Sequence, residues 1–304
     1  MSQKVLVCDS VAKDAIKIME DAGFTVEVKT GLPEDEIVKI IGSYNAMIVR
    51  SATKVTPKII EAATNLRVIA RGGVGLDNVD CKAAGAKGIT VVNTPSASTN
   101  TVAEIAIAMI FAAARYIPQA DAALKAGRWE KKKFEGTEVA GKTLGIIGAG
   151  RIGTSTAEKA MALGMRVVAF DPMIGLHPNP AIRMASFDDV LAQADYLSLH
   201  VPYDKSKGAL LGSAEFAKVK KGMVLINASR GKVVSETALM EAIRNGTVSQ
   251  AAIDVWEQEP TENKELAQME QVIALPHLGA STKEGQQRVG IEVALKVVEL
   301  LKNK

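Results

Sequence analysis

The chain has 304 residues, of which 47% are hydrophobic and 23% charged, and its formal net charge is +3. This length corresponds to about two domains, and the composition supports a substantial core, which excludes an intrinsically disordered protein. The net charge is too small to indicate a nucleic-acid or membrane partner, and no apolar run reaches the ~20 residues of a membrane span. Because Cys8 and Cys81 lack the spacing of metal ligands and the N-terminus has no apolar signal core, we expect no bound metal and a cytoplasmic location.

Short apolar runs alternate with amphipathic helical patterns over residues 4–92. This alternation predicts a parallel sheet with helices on both faces. The predicted strands are Lys4–Cys8, Thr25–Val28, Ala46–Val49, Val68–Ala70 and Thr90–Val92, and the predicted helices are Val11–Ala22, Pro33–Gly42, Thr56–Ala63 and one after Val79. No GxGxxG pattern occurs in this stretch, so we do not expect it to be the dinucleotide site.

A long helix is predicted where the first domain ends. Thr94-Pro95 interrupts the chain, and Thr101 with Glu104 forms a capping-box pattern at the start of the helix. Apolar residues follow at helical spacing on one face, which is typical of a core or a subunit interface. They are Val102, Ile105, Ala106, Met109, Ile110 and Ala113.

The segment after this helix reads GRWEKKKFEGTEVAG, from Gly127 to Gly141. It is polar around Trp129 and Phe134. We expect a solvated loop that these two aromatic side chains anchor, rather than a nucleic-acid-binding surface.

A glycine-rich turn joins a predicted strand to a predicted helix in the middle of the chain. Gly148, Gly150 and Gly153 are spaced as GxGxxG: the first permits a tight turn, the second lets backbone approach a pyrophosphate, and the third lets the helix pack closely against the strand. Asp171 ends the next predicted strand, where a carboxylate can bind a ribose 2′-OH and repel a 2′-phosphate. The pattern predicts a site for NAD rather than NADP, although Arg151 offsets some of that repulsion.

The strands predicted around and after this turn form a doubly wound sheet of about six strands. They are Leu144–Ile147, Arg166–Phe170, Tyr196–His200, Met223–Asn227, Ser249–Asp254 and Val272–Leu275. We expect an α/β protein of two domains. A Rossmann-type NAD-binding domain, residues 99–282, is inserted into a smaller flavodoxin-like substrate-binding domain, residues 1–98 plus 283–304.

The insertion is expected because the tail of the chain predicts a helix that returns to the first domain. Ser281 with Glu284 forms a second capping-box pattern. The apolar residues that share one face of this helix are Val289, Val293, Val297 and Leu301.

Three polar side chains follow the carboxyl ends of predicted strands, where ligands bind in open α/β sheets. They are Arg230, Glu259 and His277. His277 can exchange a proton near neutral pH, Glu259 can fix the tautomer of the imidazole, and Arg230 can bind a carboxylate. Hydride transfer on a 2-hydroxy or 2-oxo acid requires these three functions. Asp254, at a strand end, is a candidate acceptor for the nicotinamide carboxamide.

Other residues compete for these roles. His200 ends a strand in LHVP and rivals His277 as the base, although lining the cofactor site or capping the strand end is the preferred interpretation. Glu257, two residues from Glu259, is an alternative partner for the histidine. Glu259 itself precedes a proline, where exposed acidic residues without a catalytic role are common. His177 lies in a proline-rich loop and is expected to be solvated.

Several motifs resemble those of the D-isomer-specific 2-hydroxyacid dehydrogenases. GAGRIG with its downstream aspartate, NASRG, DVWEQEP and PHLGAS carry the resemblance, which covers essentially the whole chain. Within that family, VRSATKVT at 49–56, GVGLDNVD at 73–80 and NTPSASTNTVAE at 93–104 are most similar to the members that oxidise 3-phosphoglycerate to 3-phosphohydroxypyruvate for L-serine biosynthesis.

The resemblance implies roles for individual residues. Arg230, Glu259 and His277 would form the catalytic triad, with Arg230 on the substrate carboxylate. Together with the glycine-rich turn and His200 from the sequence pattern, the expected NAD site comprises Val74, Thr99, Gly148, Gly150, Arg151, Ile152, Gly153, Asp171, His200, Val201, Pro202, Ala228, Ser229, Arg230, Asp254, His277 and Gly279.

A phosphoglycerate carries roughly three negative charges, more than Arg230 alone can neutralise. Arg50, Lys54 and Arg71 lie at or just past the carboxyl ends of strands in the first domain and are candidates for the further cations. Ordinary surface charge is the alternative, and it is weakest for Arg50. The expected substrate site comprises Arg50, Ser51, Lys54, Arg71, Gly73, Val74, Arg230 and His277.

Two other functions stay open at this point. One is a further reaction of the same family, a glyoxylate or hydroxypyruvate reductase, and the other is an NAD-sensing binding protein like the corepressors built on this fold. The resemblance implies a homodimer through the NAD-binding domain, substrate binding between the domains, and no nucleic-acid or membrane partner. Because the sequence ends at Lys304, we also expect no serine inhibition through a C-terminal regulatory domain.

Overall fold

The computed structural model describes residues 2–302, so residues 1, 303 and 304 of the expected first domain lie outside the described residues. The described part of the chain alternates strands and helices. Its strands are Lys4–Val7 (β1), Thr25–Val28 (β2), Ala46–Val49 (β3), Val68–Arg71 (β4), Thr90–Asn93 (β5), Thr143–Ile147 (β6), Arg166–Phe170 (β7), Arg183–Met184 (β8), Tyr196–Leu199 (β9), Met223–Asn227 (β10), Val248–Ile253 (β11) and Val272–Ala274 (β12). Its α-helices are Lys13–Asp21 (α1), Glu34–Ile40 (α2), Pro57–Ala62 (α3), Cys81–Ala86 (α4), Thr99–Ala114 (α5), Ile117–Lys125 (α6), Arg151–Ala162 (α7), Phe187–Gln193 (α8), Ser213–Phe216 (α9), Glu236–Arg244 (α10), Lys264–Gln268 (α11) and Lys283–Lys302 (α12).

The chain divides into two compact units, Met1–Ser98 with Ala280–Lys304, and Thr99–Gly279. The first unit is therefore formed by two separate stretches of sequence. Each unit is built around a parallel sheet among the described residues, which confirms the predicted α/β fold class.

The sheet of the first unit has the strand order of flavodoxin-like folds. Its described residues form five parallel strands in the order β2-β1-β3-β4-β5. All of Ala46–Val49 is buried, as expected for a central strand that is covered on both faces. Apolar side chains of α2, α3 and α4 pack on one face, and those of α1 and α12 pack on the other.

The apolar face predicted for the last helix is buried. Val293 and Val297 have no exposed surface, and they lie in one core cluster with Ala15 and Met19 of α1. The helix α12 thus completes the hydrophobic core of the first unit.

Both predicted capping boxes are misplaced. Thr282 rather than Ser281 caps α12, because its Oγ1 accepts a hydrogen bond from the N–H of Gly285 at 3.0 Å. The helix α5 begins at Thr99, so Thr101 lies inside it and is buried. Hydroxyl residues stand close together in both segments, and the local pattern does not decide which of them precedes the first helical turn.

The sheet of the second unit has Rossmann topology. Within residues 2–302 it has seven strands, in the order β12-β11-β10-β9-β6-β7-β8. Strands are added in opposite directions from β6 and β9, which makes the gap between these two strands the topological switch point. The sequence did not predict β8, because Arg183–Met184 is too short to show a periodic pattern.

The helix α5 belongs to the core of the second unit. Ala106 and Met109, from its predicted apolar stripe, are buried in a cluster with Ile146 of β6. The stripe is therefore core rather than a free subunit interface. Among the described helices, none is by itself long and apolar enough to cross a membrane, and only the bent pair of α5 and α6 passes that test jointly.

The loop after α6 is anchored by one aromatic residue and not by two. Trp129 is 82% exposed, so the prediction that it anchors the loop is wrong. Phe134 ends a short 3-10 helix and packs against Tyr116, with their ring centroids 6.3 Å apart.

Candidate active site

The candidate active site lies at the carboxyl edge of the second sheet, on three neighbouring strands. The strands β10, β11 and β12 are adjacent, parallel and end in register. Arg230, Glu259 and His277 lie on the segments that follow them. The structure therefore brings the three predicted side chains to one edge of the sheet, as the strand assignments required.

His277 and Glu259 form a hydrogen-bonded pair, with Nδ1 of the imidazole 2.7 Å from Oε2 of the carboxylate. Because an ionised carboxylate only accepts hydrogen bonds, Nδ1 carries the proton and donates it, and Nε2 can accept a proton from a ligand. The side chains are 43% and 38% exposed, so a small molecule can reach them. This is the arrangement of a general base and the acid that orients it.

The pKa of Glu259 lies below its ordinary value. Burial raises this pKa, but the hydrogen bond and positive charge of His277, the N–H of Trp256 and the positive charge of Arg230 together outweigh burial. The carboxylate therefore stays ionised at neutral pH. The effect of Arg230 also indicates that its guanidinium lies near the pair.

The backbone turn that carries Arg230 is held by Asn227, the last residue of β10. The side-chain amide of Asn227 donates to the carbonyl of Arg230 at 3.1 Å, and its Oδ1 accepts from the N–H and the hydroxyl of Ser229 at 3.1 and 2.8 Å. The guanidinium of Arg230 donates to the carbonyl of Ser229 at 2.7 Å. Ala228 packs against the core beside them.

Asp254 holds the segment that follows His277. It is fully buried, and its two carboxylate oxygens accept the N–H groups of Leu278 and Gly279 at 2.6 and 2.7 Å. Burial raises the pKa of Asp254, against the opposing effect of these two hydrogen bonds. His277 itself has φ 57°, in the left-handed region that non-glycine residues rarely adopt, so the neighbouring contacts must hold it there. A contact of Asp254 with a nicotinamide stays a prediction.

The two competing residues have other partners. Glu257 accepts the N–H of Glu236 at 2.8 Å and donates its own N–H back to Glu236, so it does not pair with the histidine. Burial lowers the pKa of His200 to about 4, and its Nε2 lies 2.9 Å from the hydroxyl of Ser198. A histidine with such a low pKa is a weak base at neutral pH, which favours His277 for that role.

The glycine-rich turn has the geometry that its spacing predicts. Gly148 has φ 95°, and a Cβ placed on it would lie 2.5 Å from the carbonyl oxygen of His200. A Cβ on Gly153 would lie 2.0 Å from the carbonyl oxygen of Gly148. A Cβ on Gly150 would meet no atom within 4 Å, so the space beside it is open, as a pyrophosphate requires.

The N-terminus of α7 faces this turn without a side-chain cap among the described residues. Its first N–H groups, from Arg151 and Ile152, and its positive dipole end suit a phosphate. Asp171 accepts the N–H of Ala149 at 3.0 Å, which places the predicted ribose-binding carboxylate beside the turn. These observations fit a dinucleotide.

Among the buried polar atoms of the second unit that lack a hydrogen-bond partner within the described chain, two belong to predicted NAD-site residues. They are Oγ1 of Thr99, the first residue of α5, and Nδ1 of His200, which follows β9 at the switch point. Val201 lies beside the glycine turn, since its Cγ1 is 2.8 Å from the position of a Cβ on Gly148. Buried polar atoms normally have partners, and a bound ligand can provide them.

His177 is buried rather than solvated, so the expectation for it is wrong. It is 6% exposed, its Nδ1 accepts the N–H of Asn179 at 3.0 Å, and its Nε2 lies 2.9 Å from Oγ1 of Thr154. The hydroxyl of Thr154 donates to the carbonyl of Ala149 at 3.0 Å. His177 thus links the loop after β7 to the glycine-rich turn. The proline-rich segment shows no local sign of these long-range partners.

The substrate candidates of the first unit lie at the carboxyl edge of its own sheet. Arg50 follows β3 and donates its N–H to Oδ2 of Asp9 at 2.5 Å. Thr53 donates its N–H and its hydroxyl to the same carboxylate at 3.1 and 2.8 Å. The amide of Asn78 donates to the carbonyls of Arg50 and Thr53, both at 2.6 Å. Asp9 and Asn78, which sequence reasoning missed, therefore hold the loop 50–54 from both sides.

The loop 50–54 presents polar side chains to solvent. Ser51 and Lys54 are exposed. The guanidinium of Arg50 donates to Oε1 of Gln286 on α12. Burial lowers the pKa of Arg50, which is the effect expected when a guanidinium is partly withdrawn from water.

The backbone N–H and carbonyl of Gly73 form hydrogen bonds within the first unit. Its N–H donates to Oγ1 of Thr94 at 2.7 Å, and its carbonyl accepts the N–H of Thr94 at 3.0 Å. The guanidinium of Arg71 covers it, since a Cβ on Gly73 would lie 1.7 Å from Nη1. A substrate contact through Gly73 stays a prediction. The carbonyl of the next residue, Val74, accepts from the amide of Asn93.

The sequence profile described as D-isomer specific 2-hydroxyacid dehydrogenase, NAD binding domain, matches residues 107–279. A protein of Archaeoglobus fulgidus named D-3-phosphoglycerate dehydrogenase is 44% identical over 302 residues, which cover 98% of this chain and 57% of that protein. The chain thus spans little more than half the length of the curated relatives it matches.

Solved structures with the same fold cover the chain almost completely. The TT0316 protein from Thermus thermophilus has a TM-score of 0.92 and 30% identity, over 99% of this chain and 98% of that chain. A glyoxylate reductase from Paecilomyes thermophila has a TM-score of 0.90 and 30% identity, over 97% of this chain and 94% of that chain.

Proposed function

Because the chain belongs to the D-isomer specific 2-hydroxyacid dehydrogenase family, we propose that it oxidises 3-phosphoglycerate to 3-phosphohydroxypyruvate with NAD, in L-serine biosynthesis. The substrate is suggested by the name of the Archaeoglobus fulgidus relative. The observation that carries the proposal is the hydrogen bond between His277 and Glu259, at the sheet edge that also holds the glycine-rich turn.

The three side chains at this edge divide the work of the reaction. Nε2 of His277 takes the proton of the C2 hydroxyl group, and Glu259 stabilises the imidazolium through Nδ1–H. Arg230 binds the substrate carboxylate and stabilises negative charge beside C2. NAD, when bound, would accept the hydride that leaves C2. In the reverse direction His277 returns the proton to the 2-oxo oxygen.

The NAD site is proposed as the sequence predicts it. Gly150, Arg151 and Ile152 would hold the pyrophosphate with backbone N–H groups, and Asp171 would bind the ribose. The open space beside Gly150 and the uncapped N-terminus of α7 support this assignment.

The loop 50–54 of the first unit is proposed to bind the substrate phosphoryl group. Arg50 and Lys54 supply two cations and Ser51 supplies a hydroxyl donor. The cations would neutralise the negative charges of the substrate that Arg230 does not pair with. The support is the number of hydrogen bonds that fix this loop on Asp9 and Asn78, since a rigid loop loses little entropy on binding.

NADH absorbance with matched acids tests the proposal. We expect NAD-dependent turnover of 3-phosphoglycerate to exceed turnover of unphosphorylated glycerate, and Arg50→Ala to remove that preference. Arg166→Ala, at an exposed arginine on the amino end of β7, serves as the matched control and should keep it. Equal turnover of the two acids by the unmodified protein would overturn the choice of substrate.

A glyoxylate or hydroxypyruvate reductase is the second candidate, favoured by the similarity to the Paecilomyes thermophila enzyme over 94% of that chain. It would reduce glyoxylate or hydroxypyruvate with NADH faster than it oxidises 3-phosphoglycerate, and Arg50→Ala would change little. NADH binding without turnover of any of these acids would instead indicate a binding protein.

We also propose a cytoplasmic homodimer that associates through the second unit. Ile117 and Leu124 on α6 are 53% and 59% exposed, and large apolar side chains gathered on one exposed helix suit an interface. Light scattering of the unmodified protein and of the double variant Ile117→Ser, Leu124→Ser tests this: the double variant should be monomeric.

A further inference from the structure

Trp256 lies where the three segments of the candidate active site meet. It follows β11, is 7% exposed and belongs to the apolar core cluster of the second unit, with Leu239 and Leu266. A buried indole requires a partner for its N–H group, and the choice of partner shows what this residue does.

The indole N–H of Trp256 donates to the carbonyl of Leu275 at 3.0 Å. Leu275 stands just past β12, two residues before His277. The indole therefore ties the core to the chain immediately ahead of the catalytic imidazole.

The backbone of Trp256 contacts the other two segments. Its N–H donates to Oε1 of Glu259 at 3.1 Å, while Oε2 of the same carboxylate accepts from His277 at 2.7 Å. A Cβ on Gly231 would lie 1.8 Å from the carbonyl oxygen of Trp256, so the backbone next to Arg230 packs directly on this residue.

His277 needs such support because of its backbone conformation. Its φ of 57° is strained for a residue with a side chain, and it persists only where the flanking chain is held. Asp254 holds the chain after it through Leu278 and Gly279. The indole of Trp256 holds the chain before it.

We propose that Trp256 is a positioning residue for the reaction, which sets the imidazole of His277 against the carboxylate of Glu259 through its hydrogen bond to Leu275. This rests on the proposed function, since it concerns the pair that exchanges the substrate proton. Without the indole N–H, the segment before His277 can move, and a displacement near 1 Å in such a pair costs about 100-fold in rate.

Trp256→Phe is the test, because phenylalanine keeps an aromatic ring in the core and loses the N–H donor. We expect kcat for 3-phosphoglycerate to fall by about 10-fold to 100-fold with little change in the KM for NAD. Trp129→Phe, at the exposed tryptophan, is the matched control and should leave both quantities unchanged.

A second readout does not depend on turnover. In ¹⁵N-histidine-labelled protein, the Nδ1–H proton of His277, assigned by its loss in His277→Asn, should give a downfield signal that broadens or moves upfield in Trp256→Phe. Thermal unfolding and NADH binding establish that the variant is folded. A folded variant with unchanged kcat and an unchanged proton signal would overturn the positioning role. If the unmodified protein turns over none of the acids, the proposed function fails, and the proton signal still decides whether Trp256 holds the pair.

Discussion

Nδ1 of His277 lies 2.7 Å from Oε2 of Glu259, although the two residues are 18 positions apart in the chain. They meet because β11 and β12 are adjacent and parallel, so the segments that leave their carboxyl ends start from one edge. The contact between these two side chains thus depends on strand pairing rather than on local sequence.

Removing the imidazole separates proton transfer from cofactor binding. We expect His277→Ala to lower turnover by about 1,000-fold, the range in which general acid–base catalysis contributes. NADH affinity should be nearly unchanged, because the glycine-rich turn lies on β6 rather than on β12. Stopped-flow turnover and fluorescence titration with NADH measure the two effects. Turnover close to that of the unmodified protein would remove His277 from its assigned role.

Two glycines of the same turn should respond to alanine in opposite ways. A methyl group at position 150 meets no atom within 4 Å, so Gly150→Ala should fold normally and lose about 10-fold in NADH affinity, by filling the space proposed for the pyrophosphate. Gly153→Ala would place Cβ 2.0 Å from a backbone oxygen and should cost about 1–3 kcal/mol of stability. Denaturant unfolding and NADH titration of both variants check this. Normal NADH binding by Gly150→Ala would contradict the assignment.

The carboxylate that holds the loop 50–54 offers a test of the loop's proposed role in phosphoryl binding. Asp9 uses both carboxylate oxygens to hold Arg50 and Thr53, and asparagine offers only one acceptor oxygen. Asp9→Asn should therefore raise the KM for 3-phosphoglycerate by about 10-fold, with less effect on glycerate. Asp35→Asn, at an exposed carboxylate paired with Lys58, is the control. Parallel changes for both acids would show that the loop does not bind the phosphoryl group.

Asp195 should make the stability of the second unit depend on pH. Burial raises its pKa, but the hydrogen bonds from Lys220 and the N–H of Thr143 outweigh burial and leave the pKa lowered. A carboxyl group whose pKa is lowered on folding stabilises the folded state at pH values above its ordinary pKa. This stabilisation is lost as the pH falls through the folded-state pKa. The free energy of unfolding of the unmodified protein should exceed that of Asp195→Asn by about 1 kcal/mol at pH 7, and the difference should vanish once the pH falls below the folded-state pKa.

Urea unfolding at several pH values measures this difference. Asp188→Asn, at a more exposed carboxylate paired with Lys218, should show a smaller difference at pH 7. A difference that persists at low pH would point to packing rather than to the charge of Asp195.

The sequence was most informative where a local pattern determines the structure. Strands such as Ala46–Val49 and Met223–Asn227 were predicted to the residue, because runs of buried apolar residues are a local signal. The prediction that Arg230, Glu259 and His277 lie at one edge of the sheet followed from the rule that parallel strands present their carboxyl ends there.

The sequence was least informative where a polar group finds a distant partner. His177 is buried through Thr154, and Asp9 holds a loop that begins more than forty residues later. No sequence pattern assigned a role to Trp256, although its indole N–H donates to the carbonyl of Leu275. Such contacts depend on the completed tertiary structure, and no spacing within a single element predicts them.

The return of α12 to the first unit has a consequence for biosynthesis. Val293 and Val297 fill the core beside α1, so α12 must leave the ribosome before that core can close. The inserted unit, which is one continuous stretch, is fully synthesised earlier. The inserted unit can therefore fold during translation before the first unit does, and the amino-terminal part waits for α12.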